Sequence, residues 1–352
     1  MSKFNYALLA ILVLVTAIGP LGMQKAEAQT ITLKYSTDAP GPPNAYEIGH
    51  NWFLTEVEKR TNGKVKFERY WSASLNPSRE ALQALGTGIA DIANIVTGYW
   101  PGQLELSQVT TLPAVTSDYW VVMKATDELY EMAPLKEELR KLNIRYLAAN
   151  GLPESWLISK KQVNTLADLK GMKLRVSGRH GELYRRFGVS PMETTAPEMY
   201  EALQRGTVDG IAMNPVGVAI FKLYEPAKIY TKIRTGALGY LMPINLKTFD
   251  RLPADIKKIM EDVGKEHVFH QYHAMILGEF GVNHFLNNIL IPNGVKIFEF
   301  PEKEHSNIKD VSSKELWNKW AEEKEAKGLP GKAVLNRWLE LVKKWEGKTP
   351  VK

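Results

Sequence analysis

The sequence predicts an α/β protein made of two similar lobes, and three observations favour this fold class. Short apolar runs rich in β-forming residues alternate with amphipathic helical stretches, as in chains built from βαβ units. The chain has 352 residues, which is enough for two domains. Residues 80–91 and 201–209 share one pattern, in which a helix ends at a Gly-Thr turn and an aspartate precedes an apolar strand. We therefore expect each lobe to hold its own sheet of mainly parallel strands.

The first elements follow this alternation. Residues 31–35 predict a strand, and a turn rich in proline and glycine follows at 39–43. Residues 44–60 predict a helix that ends at Thr61-Asn62-Gly63, with the glycine just past the helix C-terminus, where this residue is favoured. Residues 65–70 alternate between apolar and polar side chains and predict the second strand.

The later part of the chain predicts further strands and long helices. Apolar strands follow the two repeated aspartates, at 92–96 and 210–213. Residues 253–288 predict one long helix or two abutting helices with an apolar stripe formed by Ile256, Ile259, Met260, Val263 and Val268. Residues 313–347 predict a charged helical tail, whose tryptophans we expect to seal it against a lobe: Trp317, Trp320, Trp338 and Trp345.

The N-terminus predicts export from the cytoplasm. Lys3 supplies a positive charge, residues 7–18 are apolar, and Ala26-Glu27-Ala28 offers the small-x-small site that a signal peptidase cleaves. The alternative is a membrane anchor, but a spanning helix needs about 20 apolar residues. We therefore expect a signal peptide at residues 1–28, cleavage after Ala28 and a mature chain beginning at Gln29.

Composition excludes several functional classes. The chain has no cysteine, so thiol catalysis, cysteine-ligated zinc and a lipid-modified cysteine are excluded. The formal net charge of +6 comes from basic residues interspersed with acidic ones, which does not indicate a nucleic-acid-binding surface. No second long apolar run follows the first, so we expect no membrane insertion by the mature chain.

Motifs of catalytic chemistry are largely absent from the sequence. There is no Gly-x-Ser-x-Gly elbow, no P-loop and no His-Glu-x-x-His. His267, His270 and His273 lie three residues apart, and we interpret them as surface or packing residues rather than metal ligands. We therefore expect no catalytic residues, no bound metal and no cofactor.

Six motifs together resemble a known family over nearly the whole mature chain. They are TNGKV at 61–65, EALQ with GIADIA at 80–93, LADLKGMKLRV at 166–176, YEALQRGTVDG at 200–210, FKLYEPAK at 221–228 and LP at 252–253. Each is weak alone, but their order and spacing are similar to those of extracytoplasmic solute-binding proteins of tripartite ATP-independent periplasmic (TRAP) transporters, of the dicarboxylate-binding-protein type.

This resemblance implies a two-lobed, type II-like periplasmic-binding-protein fold with a ligand cleft between the lobes and a long helix spanning both. The first lobe would comprise residues 29–150 and about 240–280. The second would comprise 151–239 and about 281–312, and residues 313–352 would pack on the lobes as a helical segment. Ligand would bind in the cleft, closure would bury it, and a membrane permease would receive it.

The resemblance also makes Arg175 the main candidate for ligand binding. In this family, the arginine of the motif at 166–176 typically pairs with a ligand carboxylate. A planar guanidinium offers two parallel N–H donors that match two carboxylate oxygens. The alternative role for Arg175 is a structural ion pair within the second lobe.

Two further candidates lie in the predicted second lobe. Asn214 follows the strand at 210–213 and would face the ligand, or would form a turn before Pro215. Trp156 would form an aromatic wall of the pocket, or would pack in the core.

Four candidates lie in the predicted first lobe. Tyr99 and Trp100 follow a strand on a loop, where they would face the cleft or cover the end of the sheet. Ser36 and Asp38 end the first strand and could hydrogen-bond to the ligand. Together these residues predict a cleft with one carboxylate anchor and several aromatic walls, suited to a medium-sized organic acid.

The leading functional hypothesis is a receptor that captures an organic acid and delivers it to a TRAP permease, as a monomer. Two alternatives from other classes are a soluble periplasmic enzyme acting on a carboxylated substrate and a ligand sensor for a membrane kinase. Because one fold can host different functions, the predicted fold alone does not separate them.

Overall fold

A computed structural model describes residues 30–350 of the chain. The predicted signal peptide, its cleavage after Ala28 and the new N-terminus at Gln29 lie outside the described residues. Within residues 30–350, no helix combines the length and apolar composition needed to cross a lipid bilayer.

The first sheet has five strands in the order β2-β1-β3-β10-β4. Their bounds are β1 Ile31–Ser36, β2 Val65–Tyr70, β3 Ile92–Ala93, β4 Ile144–Leu152 and β10 Leu238–Asn245. Strand β1 runs parallel to β2 and β3, whereas β10 runs antiparallel to β3 and β4.

The second sheet has six strands in the order β11-β9-β5-β8-β6-β7. Their bounds are β5 Trp156–Ser159, β6 Lys173–Arg175, β7 Ser190–Met192, β8 Gly210–Met213, β9 Ile229–Thr231 and β11 Lys296–Phe298. Strand β6 runs parallel to β7 and β8, and β9 runs parallel to β11, but β5 is antiparallel to both β8 and β9.

The expectation of mainly parallel strands is confirmed, although both sheets are mixed. In each sheet, one central strand (β10 or β5) runs against its two neighbours. Strands β4 and β5 follow one another in sequence but lie in different sheets, and so do β9 and β10. The chain thus passes between the lobes through extended segments. The residue boundaries predicted for the two lobes and the tail stay a prediction.

Helices cover the two sheets. Their bounds are α1 Ala45–Arg60, α2 Ala81–Thr87, α3 Tyr119–Leu129, α4 Ala133–Lys141, α5 His180–Arg186, α6 Met199–Gln204, α7 Pro215–Ile220, α8 Leu246–Arg251, α9 Ala254–Tyr272, α10 Val282–Phe285, α11 Glu302–Val311, α12 Trp317–Glu325 and α13 Gly331–Trp345. Helix α1 begins after Asn44, whose side chain accepts hydrogen bonds from the first turn and acts as the N-cap.

The repeated sequence pattern corresponds to a repeated hydrogen-bond motif. In the first sheet, Asp91 accepts a hydrogen bond from the backbone N–H of Lys34 at 2.9 Å. In the second, Asp209 accepts one from the backbone N–H of Lys173 at 2.8 Å. Each aspartate precedes a strand and fixes it to its parallel neighbour, β3 to β1 and β8 to β6. The two lobes therefore share one local construction.

The long helical region divides into two segments, as one of the two sequence alternatives predicted. Helix α9 passes through a π-helical turn at His273–Leu277, and the chain bends before α10 begins at Val282. The first half of α9 packs through Ile256, Met260 and Val263 into the core of the first lobe. Its second half packs through Val268 and Tyr272 into a core that also contains strands of the second sheet. This helix therefore contacts both cores.

The C-terminal tail is helical and packs on the first lobe. Trp320 and Trp338 are fully buried in a core cluster with residues of α3 and α4, and Trp317 and Trp345 are partly buried against it. The tryptophans thus seal the tail against a lobe, as the sequence predicted.

Candidate functional site

A cavity lies between the two sheets and is lined by residues of both lobes. It contains about 520 Å³ of space free of protein atoms, part of which opens to solvent. The first lobe contributes Asp38, His50 and Asn94, and the second contributes Arg175 and Ser177. Apolar side chains complete the wall: Val96, Leu152, Met213 and Phe221. This composition suits a small ligand with both charged and apolar parts.

Arg175 is the cation of this cavity and is 3 % exposed. It is the last residue of β6, and it donates hydrogen bonds from Nε and Nη2 to the carbonyl oxygen of Thr194, at 3.1 and 2.8 Å. Among residues 30–350, no carboxylate lies within 4.0 Å of its guanidinium, and Nη1 has no acceptor. One edge of the guanidinium is thus fixed by the backbone, while the edge formed by Nη1 and Nη2 keeps donors for a ligand.

Asp38 is the carboxylate of the same cavity. It follows β1 and is half-buried. Burial and the nearby charge of Glu47 raise the pKa of Asp38 to about 6, against the smaller opposing influences of its own backbone N–H, of Ser78 and of the Arg175 charge. At pH 7 the carboxylate is therefore mostly ionised, although its environment disfavours that form.

A buried polar network lies behind Asp38. Glu47 of α1 accepts hydrogen bonds from the hydroxyls of Tyr35 and Thr37, at 3.0 and 2.9 Å. Nδ1 of His50 lies 2.7 Å from the Tyr35 hydroxyl, and its ring stacks on His267 of α9 at 5.5 Å between centroids. Burial keeps the pKa of His267 well below its usual value, so this ring is neutral. The network links the cavity wall to the long helix.

Three tyrosines connect the lobes around the cavity. Tyr46 donates to Oδ1 of Asn214 at 2.9 Å, and the Tyr99 hydroxyl accepts from the backbone N–H of Ala196 at 3.0 Å. The Tyr240 hydroxyl lies 3.3 Å from that of Ser177. Burial raises the pKa of Tyr240 to about 12, so its hydroxyl stays protonated at neutral pH. These contacts close the cavity from several sides.

Two candidate ligand contacts lie elsewhere. Asn214 is fully buried and does not line the cavity; its Oδ1 accepts from Tyr46 and from the backbone N–H of Gly217, so that it caps α7. Trp156 packs against Tyr230, with centroids 5.1 Å apart, and is likewise absent from the cavity wall. Their roles as ligand contacts stay predictions, as do the alternatives of a turn for Asn214 and core packing for Trp156.

Two other candidates line a smaller adjoining cavity. Ser36 donates to Oδ1 of Asn76 at 2.9 Å, and Nε1 of Trp100 donates to the carbonyl of Arg79 at 3.2 Å. Asp38 and Tyr99 line both cavities. Of the seven predicted site residues, the structure thus brings Arg175, Asp38 and Tyr99 to the main cavity.

Sequence reasoning missed Tyr46, His50, Asn94, Asn150 and Tyr240. Tyr46 and His50 lie one helical turn apart on the buried face of α1, where polar side chains facing a core were an available signal. Asn94 and Asn150 hydrogen-bond to each other at the wall, and each follows or lies within an apolar strand. The two side chains meet because of the order of the strands in the sheet, and a local sequence pattern does not predict that order.

The three spaced histidines do not converge. His267 stacks on His50, and His270 stacks on Trp52 with centroids 3.5 Å apart. His273 begins the π-helical turn, and its own side chain is exposed. In the part of the chain that the structure describes, no group of three or more histidine, aspartate or glutamate side chains is arranged to hold a metal ion.

Comparison with known proteins identifies the family. The family described as bacterial extracellular solute-binding protein, family 7, matches residues 40–324. The chain belongs to this family. A curated relative, the C4-dicarboxylate-binding periplasmic protein DctP of Rhodobacter capsulatus, is 30 % identical over 261 residues, covering 72 % of this chain and 77 % of the relative.

Solved structures have the same fold. A TRAP periplasmic solute-binding protein from Desulfovibrio salexigens is 27 % identical, with a TM-score of 0.73 and coverage of 91 % of this chain and 98 % of that one. A TRAP solute-binding protein from Rhodoferax ferrireducens, in complex with copurified benzoate, has a TM-score of 0.80 at 21 % identity, with coverage of 90 % and 98 %. This solute-binding protein is therefore an extracytoplasmic receptor of the TRAP type, with the two-lobed fold of its family, whose members bind small molecules and work with a membrane permease.

Proposed function

We propose that this solute-binding protein captures an organic acid by closing its lobes around the carboxylate, and delivers it to a TRAP permease. The observation that carries the proposal is the state of Arg175, which is 3 % exposed in the cavity and has no carboxylate partner among residues 30–350. A buried cation without a counter-charge is costly, and a ligand carboxylate would supply that charge.

The geometry favours a bidentate contact. The carbonyl of Thr194 holds Nε and Nη2, which orients the guanidinium plane before ligand arrives. A preoriented donor pair loses less conformational freedom on binding than a mobile side chain would. The contacts of Tyr46 with Asn214 and of Tyr99 with Ala196 would form as the lobes close over the ligand.

The test is calorimetry with variants of Arg175. A thermal-shift screen over monocarboxylates, dicarboxylates, sugar acids and aromatic acids first identifies binders, because a ligand of the native state raises Tm. Arg175→Ala should then weaken the best binder by about 2–4 kcal/mol, roughly 30- to 1,000-fold. Arg175→Lys should also weaken it, because an ammonium does not reproduce the planar fork.

Arg69→Ala is the matched control. Arg69 is also a partly buried arginine at a strand and pairs with Glu58 at 3.1 Å, but it does not line the cavity. It should leave affinity unchanged. Unchanged affinity in Arg175→Ala, or chemical conversion of the bound acid detected by mass spectrometry, would contradict the proposal.

Export, oligomeric state and partner complete the proposal. We propose cleavage after Ala28, which intact-mass analysis of the secreted protein tests, since the mature chain should begin at Gln29. We also propose that the mature protein acts as a monomer without a cofactor, as light scattering and native mass spectrometry would reveal. Uptake by cells carrying the partner permease should require this receptor, and signalling without uptake would favour a sensor instead.

A further inference from the structure

Two opposite charges in the cavity are left unpaired. Arg175 and Asp38 both line it, yet no ion pair joins them to each other or to any other residue between 30 and 350. One oxygen of Asp38, Oδ2, is buried without a hydrogen-bond partner among these residues. The cavity therefore presents a positive site on the second lobe and a separate negative site on the first lobe.

A simple carboxylate satisfies only one of these sites. Bound at Arg175, it leaves the Asp38 carboxylate enclosed with no positive partner, and an uncompensated charge in a closed site is unfavourable. A dicarboxylate is worse, because its second carboxylate adds a like charge beside Asp38. A ligand with a carboxylate alone thus pairs with Arg175 and leaves Asp38 without a partner.

The surroundings of Asp38 favour a cation over a neutral donor. Glu47 lies behind it and is 0 % exposed, and its two oxygens accept from Tyr35 and Thr37. Nδ1 of His50 lies 2.7 Å from the Tyr35 hydroxyl, and Nε2 of His50 is buried without a hydrogen-bond partner among residues 30–350. This side of the molecule places the acidic side chains of Asp38 and Glu47 close enough for their charges to interact, and that favours a cationic ligand group beside Asp38.

We propose that the ligand is a zwitterion, an amino-substituted monocarboxylic acid whose ammonium group binds Asp38 while its carboxylate binds Arg175. This inference rests on the proposed carboxylate-binding function and narrows it. The remaining part of the ligand lies against Val96, Leu152 and Phe221, so an apolar or aromatic side group fits better than a charged one.

Calorimetry with matched sets of acids tests the inference. Each set keeps one carbon skeleton and changes one substituent: phenylalanine, 3-phenyllactate and 3-phenylpropionate form one set, and leucine with its hydroxy and unsubstituted analogues forms another. Amino acids with the amine on the α, β or γ carbon vary the spacing between the charges. The tightest amino acid should bind at least about 10-fold better than its hydroxy and unsubstituted counterparts, the difference expected for one charge-assisted hydrogen bond.

Asp38→Asn removes the negative site and keeps the size of the side chain. This variant should bind the amino acid about 10- to 100-fold more weakly, so that the affinities of the acids within a set become similar. Asp127→Asn is the matched control, because Asp127 is also a half-buried carboxyl with a raised pKa, yet it lies outside the cavity and accepts a hydrogen bond from the Tyr146 hydroxyl at 2.8 Å. The control should keep the preference for the amine.

The outcomes separate this inference from the function on which it rests. If unsubstituted acids or dicarboxylates bind as tightly as amino acids, and Arg175→Ala lowers the affinity for them, the proposal of a zwitterionic ligand is wrong while that of carboxylate capture stands. If no amino acid in the sets binds, the zwitterion is also wrong. If amino acids bind but Arg175→Ala leaves their affinity unchanged, carboxylate capture fails and the inference fails with it.

Discussion

The lobes come into contact at two glycines, and adding one methyl group there should impair ligand binding without touching the ligand. Gly98 follows β3 in the first lobe, and Gly178 follows β6 in the second. A Cβ at residue 98 would lie 2.9 Å from both Cα and N of Gly178 and 3.2 Å from a carboxylate oxygen of Glu193. Backbone atoms cannot rotate away as a flexible side chain can, so the lobes must separate.

The expected magnitude follows from this overlap. Overpacking a well-fitted contact costs about 1–3 kcal/mol. Under the proposed closure of the lobes, this cost falls on the closed, ligand-bound state, in which the two glycines are in contact. Gly98→Ala should therefore weaken ligand binding roughly 5- to 150-fold. Gly102→Ala is the control, since a Cβ at this nearby glycine meets no atom within 4 Å.

Calorimetry measures the affinity, and small-angle X-ray scattering with saturating ligand measures compactness. Gly98→Ala should show a larger radius of gyration than the wild type when both are ligand-bound. Wild-type affinity and compactness in this variant would refute the reasoning, as would an equal effect of Gly102→Ala.

Three predictions concern stability. The pKa of Asp38 is raised from 3.8 to about 6 in the folded protein, so the folded state loses stability as pH rises through this window. Asp38→Asn should therefore raise the free energy of unfolding at pH 8 by at most about 3 kcal/mol and leave it unchanged near pH 3.5. Urea denaturation at the two pH values measures the difference. Burial lowers the pKa of His180 from 6.5 to about 3, so its contribution to the free energy of unfolding is present above pH 6.5 and is lost as pH falls. His180→Asn should reduce the slope of the free energy of unfolding against pH, between pH 4 and 6, by about 1.4 kcal/mol per pH unit. An unchanged slope would contradict this. Asp209→Ala removes the bond to the backbone N–H of Lys173 and should cost about 1–2 kcal/mol in thermal or urea unfolding, whereas Asp209→Asn, which keeps an acceptor, should cost less.

Local sequence signals predicted much of the fold. The strand at 65–70 and the helix closed by Gly63 follow from side-chain alternation and from glycine preference at a helix end, and both are interactions within a few residues. The antiparallel placement of β10 and β5 was missed, because strand direction depends on which distant segments pair. Only the repeated aspartates carried long-range information, and they predicted two lobes with the same local construction.

Residues of the candidate site were predictable from the sequence where they lay in a recognisable motif and had a side chain of evident ligand-binding chemistry. Arg175 met both conditions, and Asp38 was placed by its position at the end of a strand. Asn214 was harder to assign, because asparagine before proline also serves as a helix cap, and here its side chain caps α7. His50 and Tyr240 come from distant elements that meet only after folding, so no spacing in the sequence could have joined them.

The absence of cysteine makes the proposed movement of the lobes easy to measure with site-specific labels. A pair of introduced thiols would be the only ones in the protein, so two spectroscopic labels could be attached without removing native residues first. Lys59 on α1 and Arg205 beyond α6 are suitable positions, with side chains 76 % and 72 % exposed on opposite lobes. The distance between labels at these positions would report the proposed closure of the lobes directly, molecule by molecule.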